Sequence, residues 1–192
     1  MLISFSVSNF RSFGEEQTLN MVASNKLSDH PNHCVAIPGS DNSAVRTAVI
    51  YGANAAGKSN LVKAMAYAQE LITGTYRSIP SVSPFTFDRK FADQPSTFDF
   101  QFLVGDRVFR YGFDIHRGRV AGEWLAVNEG TSEKLIYERK VDGSLEIGSR
   151  LTESLLVDQR ADKFLRSAAQ LSSEVLHFTP QFCNNAHKGI VK

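Results

Sequence analysis

Residues 52–59, which read GANAAGKS, constrain the fold of this chain more than any other segment. They match the pattern G-x-x-x-x-G-K-[ST], in which a loop wraps its backbone N–H groups around phosphate oxygens and then continues into a helix. Gly52 and Gly57 provide positions without a side chain, and Lys58 is placed to reach the β- and γ-phosphates. The sequence therefore predicts that the chain binds a nucleoside triphosphate.

The residues around this lysine predict the rest of the phosphate chemistry. The Ser59 hydroxyl is the candidate metal ligand, because it follows the lysine at the position that completes Mg²⁺ coordination. The helix that begins near Gly57 points the positive end of its dipole at the phosphates. ATP and Mg²⁺ are the predicted cofactors, and Lys58 is the candidate catalytic residue.

A phosphate loop of this kind requires a strand before it and a helix after it. Residues 47–51, TAVIY, form a short apolar and β-branched run, which predicts a fully buried strand. After the loop, apolar residues recur at helical spacing, and Gly74 is a candidate C-cap. These helix positions are Leu61, Met65, Ala68 and Ile72. The flanks favour a phosphate loop over the alternative, a glycine-containing turn that binds no ligand.

The composition indicates a globular protein without a strong charge bias. The chain has 192 residues, of which 42% are hydrophobic, and its 21 basic and 20 acidic residues leave a net charge of +1. Charge alone therefore gives no argument for nucleic acid or an acidic membrane as a partner. No charged leader precedes a long apolar core, and no apolar run approaches the length of a membrane span. We expect a cytoplasmic protein with no membrane partner.

The cysteines and histidines allow a metal hypothesis. His30, His33 and Cys34 lie close in sequence, and Cys183 with His187 forms a second pair. Four of these five side chains could hold zinc, but neither half has the paired spacing of zinc modules, so solvated loop residues are the simpler interpretation. Two cysteines are too few for a disulfide framework and fit a reducing compartment.

The chain divides into three predicted segments. Residues 1–77 form a P-loop nucleotide-binding subdomain that starts with an alternating strand at 3–7, a second short strand near 17–22 and a polar, exposed connection from 25 to 43. Residues 78–150 form an antiparallel β lobe. Residues 151–192 combine a helix over about 152–172 with an irregular end.

The lobe is predicted from alternation and turn residues. Residues 98–104 and 109–115 each alternate apolar and polar side chains, and Gly105-Asp106 separates them as a tight turn. Further strands at 120–127, 135–140 and 145–147 follow, with Asp142-Gly143 as another turn. The expected arrangement is an antiparallel meander.

Two segments together carry a family resemblance. The N-terminal strand ends in Asn9-Phe10-Arg11-Ser12-Phe13, and the loop reads GANAAGKSNL over residues 52–61. This combination resembles the ABC-type ATPase heads of the RecF, SMC and OLD group, and is most similar to AAA-family ATPases of bacterial anti-phage systems, including OLD-type, Septu-type and retron-associated ATPases. The resemblance covers about residues 1–171, strongly at these two segments and loosely after Pro84. It implies an α/β P-loop NTPase fold, the N-terminal half of an ABC-type ATPase head with an inserted antiparallel β-meander lobe.

The resemblance also implies roles for individual residues. Arg11 and Ser12 are expected beside the base, sugar or phosphates, although an exposed turn charge is the alternative for Arg11. Phe10 and Phe13 are expected in the core rather than stacked on the base. The residues expected to cradle the phosphates are Gly52, Asn54, Ala55, Ala56, Gly57, Lys58, Ser59 and Asn60.

Hydrolysis in this family requires groups that the sequence does not display. Members hydrolyse ATP at a dimer interface with a strand ending in Asp-Glu and a signature loop, both downstream of the lobe. Residues 155–159, LLVDQ, place an apolar run before an acid but follow the helical pattern. We therefore expect this chain to be the N-terminal part of a longer ATPase. On its own, the chain should bind nucleotide weakly and hydrolyse it poorly.

The implied function is ATP-driven assembly into a homodimer or higher homo-oligomer that regulates a nuclease or other effector in anti-phage defence. Nucleic acid would be contacted through that complex. The alternative is a non-hydrolytic nucleotide-sensing scaffold, and a small-molecule kinase is disfavoured because no arginine-rich lid segment follows the loop. Four arginines near one hairpin could form a DNA-facing patch, but charges at a solvated sheet edge are the preferred interpretation. They are Arg107, Arg110, Arg117 and Arg119.

Overall fold

The computed structural model describes residues 1–24, 31–72, 79–129 and 132–148. The described residues form one seven-stranded sheet, a separate two-stranded hairpin and one α-helix. The elements are β1 (Leu2–Ser8), β2 (Gln17–Asn20), β3 (Cys34–Ala36), β4 (Ser43–Val45), α1 (Lys58–Ile72), β5 (Ser96–Val104), β6 (Arg107–His116), β7 (Arg119–Glu129), β8 (Ser132–Arg139) and β9 (Leu145–Ile147), with short 3-10 turns at Pro31–His33 and Arg89–Phe91. None of the helices in these four ranges is long and apolar enough to cross a membrane.

The large sheet is the predicted antiparallel meander, extended by two N-terminal strands. Its strand order is β2-β1-β5-β6-β7-β8-β9, and every neighbouring pair is antiparallel. The β6–β7 turn has positive φ at both Arg117 (49°) and Gly118 (72°), as expected of the tight turns that match the twist of hairpin strands. The hairpins predicted at Gly105-Asp106 and Asp142-Gly143 are confirmed by the pairing of β5 with β6 and of β8 with β9.

One face of the sheet carries the main hydrophobic core. Alternation along β1, β5 and β6 places the largest buried side chains on that face, and the ring centroids of Phe98 and Phe113 lie 5.1 Å apart. The predicted inner positions of α1 pack into this cluster, with Met65 and Ala68 buried. The fully buried rings are Phe5, Phe98, Phe100, Phe102 and Phe113.

The N-terminal strands and the meander belong to the same sheet. β1 lies between β2 and β5, with Phe5 opposite Phe100 and Val7 opposite Phe98. The N-terminal strand β1 is therefore hydrogen-bonded to β5, the first strand of the meander. The predicted division at residues 77 and 78 falls outside the described ranges and stays a prediction.

The prediction of a buried strand at residues 47–51 is wrong for this structure. Val49 is 80% exposed and Tyr51 is 90% exposed, and the segment belongs to no strand. A buried strand needs hydrogen-bonding neighbours at its sides and cover on both faces, and no described strand runs beside these residues. For the same reason, the described residues contain no parallel strand pair of the kind expected of an α/β P-loop sheet.

The polar connection predicted from 25 to 43 also contains structure. β3 and β4 pair as a short hairpin, and Ile37 and Ala44 are buried against Ile3, Leu103 and Val108. Short strands in a sequence rich in Ser, Asn, Pro and Gly give little alternation to detect. Three predicted features lie outside the described residues: the helix at 152–172, the apolar run before an acid at 155–159, and the C-cap at Gly74.

The meander contains a buried charge that is fully paired. Glu123 accepts hydrogen bonds from the hydroxyls of Tyr111 and Tyr137, each at 3.0 Å, and forms an ion pair with Arg139. Burial, reinforced by the negative charge of Glu123, raises the pKa of Tyr111 well above its usual range, so this phenol remains a donor. The cluster links β6, β7 and β8 and acts as a structural support.

Asp114 gives a prediction for the pH dependence of stability. Burial raises the pKa of this carboxyl, and a hydrogen bond from Thr97 Oγ1 (2.6 Å) opposes that shift only in part. Because the folded pKa lies above the unfolded one, the ionised form destabilises the fold once the pH rises through the folded pKa. Asp114→Asn should therefore raise the free energy of unfolding at pH 7 by less than about 1 kcal/mol, since solvent screens part of the effect.

The stability gained from Asp114→Asn should shrink as the pH falls below about 4, where the parent carboxyl is protonated in the folded and the unfolded protein. Urea unfolding at the two pH values measures it, with Asp106→Asn in the exposed β5–β6 turn as the control. A gain of equal size at both pH values would contradict the assignment to ionisation.

Candidate functional site

The predicted phosphate loop lies at the beginning of α1. Residues 52–56 are exposed, and α1 begins at Lys58 with no acidic residue in its first turn. The positive end of the helix dipole is therefore not neutralised by a carboxylate of that turn. Two loop residues have left-handed backbone conformations, Ala55 with φ of 65° and Gly57 with φ of 92°. The local geometry offers free N–H groups and positive potential to an anion.

Lys58 is folded onto the loop. Its Nζ donates hydrogen bonds to the carbonyl oxygens of Gly52 and Ala53, both at 2.7 Å. These neutral acceptors hold the ammonium group beside the backbone that a phosphate would contact. Charged phosphate oxygens form stronger hydrogen bonds with an ammonium group than neutral carbonyls do. The lysine is therefore placed to exchange these contacts for a phosphate.

The turn after β1 reaches the loop from the other side. Asn60 Nδ2 donates to Ser12 Oγ at 2.7 Å, joining two predicted site residues that are 48 positions apart. The guanidinium of Arg11 lies over the Phe10 ring, 5.6 Å from its centroid, in a cation–π contact. Ser12 is thus at the loop in this structure, and a ligand role for Arg11 stays a prediction.

Phe13 also belongs to the site, although the sequence placed it only in the core. A Cβ added to Gly57 would lie 3.0 Å from Phe13 Cε1 and 3.5 Å from Ser12 Oγ. The ring therefore packs directly on the loop glycine. Sequence spacing could not show this contact, because 44 residues separate the two positions and no local pattern connects them.

The remaining predicted phosphate residues lie in the same exposed stretch. Asn54, Ala55, Ala56 and Ser59 are exposed around the first turn of α1. Ser59 offers one hydroxyl to a cation, and Mg²⁺ at nucleotide sites takes most of its other ligands from phosphates and water. A single hydroxyl therefore fits Mg²⁺ bound together with a triphosphate.

The described residues do not support the zinc alternative. His33 and Cys34 are neighbours, Cys34 is a free thiol, and the four described ranges hold no group of three or more His, Cys, Asp or Glu side chains that could bind a metal ion. His30, Cys183 and His187 lie outside the described residues.

Two of the four hairpin arginines are paired with carboxylates. Arg110 binds Asp99 through Nε at 2.9 and 3.1 Å and contacts Glu133 at 3.4 Å, while Arg117 contacts Asp93 at 3.0 Å. Compensated charges attract phosphate backbones weakly. This pairing weighs against a DNA-facing patch. The predicted sheet edge is wrong, because β6 and β7 lie inside the sheet, each hydrogen-bonded to a strand on both sides.

Gly57→Ala and Ala55→Gly form a matched pair of loop substitutions. Residue 57 has a left-handed backbone conformation, and Gly57→Ala adds a Cβ that meets the Phe13 ring. The strain raises the free energy of the binding-competent loop by about 1–2 kcal/mol, so ATP affinity should fall about 10-fold. Ala55→Gly relieves a similar conformation, so affinity should be retained and stability should change by no more than about 0.5 kcal/mol. Calorimetric titration with ATP compares them, and equal losses in both would contradict the assigned backbone strain.

Comparison with known proteins gives one family. The sequence model of a family of AAA domains matches residues 48–187, and its description names AbiEii, a candidate toxin of type IV TA systems. The matched range contains the whole phosphate loop, α1 and the meander, and it exceeds half of the chain. A search of curated proteins found no match.

Proposed function

Because the chain belongs to this family of AAA domains, we propose that it binds ATP together with Mg²⁺ through residues 52–60 and couples that binding to assembly. AAA domains are P-loop nucleotide-binding domains, so nucleotide binding follows from the family. The choice of ATP, the metal, the residue roles and the assembly step are the proposal.

The main support for this binding site is that several groups suited to an anion lie together at the start of α1. The Lys58 ammonium group, the first turn of α1 and the exposed backbone of residues 52–56 converge on one small volume. Each contributes positive charge or an N–H donor, and α1 brings no acidic side chain in its first turn to oppose them. A triphosphate is the common ligand that needs several such groups at once.

The proposal gives each of these residues a role at the phosphates. Backbone N–H groups of the loop would bind the β-phosphate oxygens, and Lys58 would leave the carbonyls of Gly52 and Ala53 to bridge the β- and γ-phosphates. Ser59 would hold Mg²⁺, which neutralises phosphate charge when bound. Phosphoryl transfer depends on positioning and charge stabilisation, both of which these groups supply to the phosphate tail.

We extend the proposal to assembly and control. A γ-phosphate exposed on this loop could be contacted by a second copy of the chain, so that ATP favours a closed homodimer or higher homo-oligomer and hydrolysis releases it. The oligomer would regulate a nuclease or toxin effector in anti-phage defence. The resemblance of the Asn9–Phe13 and 52–61 segments and the family description support this extension.

A calorimetric titration tests the binding proposal. Mg·ATP should bind with one site per chain, Mg·GTP provides the comparison of bases, and inorganic triphosphate tests whether the phosphate tail alone is recognised. Excess EDTA should weaken binding because the Ser59 contact acts through the metal. Folded protein that gives neither heat nor thermal stabilisation with any of these ligands would refute nucleotide binding.

Sedimentation and phosphate release separate the remaining alternatives. A shift to dimer or higher oligomer with Mg·ATP supports ATP-driven assembly, and an unchanged monomer contradicts it. Steady-state phosphate release above that of the Lys58→Ala variant supports an ATPase. Binding and assembly without release support the nucleotide-sensing scaffold.

A further inference from the structure

The strongest unassigned feature is the contact between the β1–β2 turn and the phosphate loop. We name residues 10–13 the support turn. It touches the loop region at two points: Ser12 Oγ accepts from Asn60 Nδ2 at 2.7 Å, and the Phe13 ring packs on Gly57. One contact is polar and the other apolar, and both lie at the start of α1.

The support turn is fixed without help from the loop. Phe10 and Phe13 exchange two backbone hydrogen bonds of 2.8 and 2.9 Å, and the Arg11 N–H donates to the Ser83 carbonyl at 2.8 Å. Phe10 is buried in the core, with its ring 5.6 Å from that of Phe98. Ser12 therefore projects from a rigid element.

The phosphate loop is held much less firmly. Residues 52–56 are exposed, and the described backbone hydrogen bond within them is a 3.3 Å contact from the Ala56 N–H to the Ala53 carbonyl. The two hydrogen bonds from Lys58 Nζ to the loop are the ones that a bound phosphate would replace. An anion site made of backbone N–H groups binds tightly only if those groups already point at the ligand, because ordering them during binding lowers the affinity. The loop gains that order from a fixed neighbour.

We infer that Ser12 and Asn60 are positioning residues, and that their hydrogen bond holds the phosphate loop in its nucleotide-binding conformation. The inference rests on the proposed function, since its readout is nucleotide affinity. Ser12 acts through Asn60 in this scheme, so loss of either side chain has the same consequence. Because Ser12 is exposed, the hydrogen bond contributes little to the stability of the free protein.

A double-mutant cycle measures this dependence. Ser12→Ala and Asn60→Ala should each lower Mg·ATP affinity about 3- to 10-fold, and the double variant should bind about as well as either single variant. Ser12→Thr keeps the hydroxyl and should restore most of the affinity. Ser6→Ala, which removes an exposed 2.7 Å hydroxyl pair between Ser6 on β1 and Thr18 on β2, should leave affinity unchanged.

Urea unfolding without nucleotide provides the second readout, and the free proteins should have the same midpoint. Losses that multiply in the double variant would overturn the inference, because Ser12 and Asn60 would then act separately on the nucleotide. Unchanged affinity in both single variants, or an affinity loss matched by an equal stability loss, would overturn it as well. A parent protein that binds no nucleotide refutes the proposed function itself, and the inference with it.

Discussion

Asn9→Ala should lower the free energy of unfolding by on the order of 4 kcal/mol, because it removes a buried amide that makes several hydrogen bonds. Asn9 is 1% exposed, and its Nδ2 donates to the carbonyls of Phe91 (2.9 Å), Gln94 (2.8 Å) and Pro95 (3.3 Å). Its Oδ1 accepts from the Phe85 N–H at 2.9 Å. Alanine removes all four hydrogen bonds, although the Phe91 carbonyl keeps the Gln94 N–H as a partner at 3.2 Å. The other three backbone groups are part-buried, and each one left without a partner costs about 1–3 kcal/mol.

The backbone adds a smaller penalty. Asn9 has φ of 48°, a conformation that asparagine tolerates better than alanine. Asn9→Gly removes the amide but keeps this conformation accessible, so the difference between the two variants isolates the backbone part. Asn20→Ala is the control, because the Asn20 side chain accepts one exposed hydrogen bond, from the Val22 N–H. An Asn9→Ala midpoint in urea close to that of Asn20→Ala would contradict the role given to this amide.

Lys58→Ala should weaken ATP binding about 100-fold, or about 3 kcal/mol, because it removes a charge-assisted contact to the phosphates. Lys63→Ala is the matched control, since Lys63 is an exposed lysine on the same helix and lies more than one turn from the loop. Lys58→Arg should restore only part of the affinity, because the planar guanidinium has a different shape from a compact ammonium group.

Calorimetric titration with Mg·ATP measures these affinities, and the stability of the free protein should change little. The carbonyls of Gly52 and Ala53 that lose the lysine lie in the exposed loop and can bond to water. A Lys58→Ala variant that binds ATP as tightly as Lys63→Ala would exclude this lysine from the site.

Local signals in the sequence predicted the elements that depend on local contacts. The helix after the loop and the hairpins around residues 105 and 142 follow from side-chain spacing and turn residues, and the structure confirms them. The strand at 47–51 failed for the opposite reason. Its apolar pattern indicates that the segment is suited to burial. Burial also requires neighbouring strands and packed side chains, which the pattern does not identify.

The candidate site shows the same division. The phosphate loop was predicted from its sequence motif alone. The Ser12–Asn60 hydrogen bond and the packing of Phe13 on Gly57 were not, because they join positions far apart in sequence. The role of Asn9 was also hidden, because its partners lie between residues 85 and 95. The partners of Asn9 lie just before β5, which pairs with β1, and no local spacing encodes that pairing.

The pairing of β1 with β5 has a consequence for biosynthesis. β1 leaves the ribosome well before Phe98 and Phe100 of β5, which lie opposite Val7 and Phe5 in the sheet. At ordinary translation speeds the interval is about 5 to 20 s, during which one edge of β1 has no native strand partner. The nascent chain is therefore most exposed to aggregation before the meander is made, and a holdase chaperone that binds its first 20 or so residues should improve the yield of native protein.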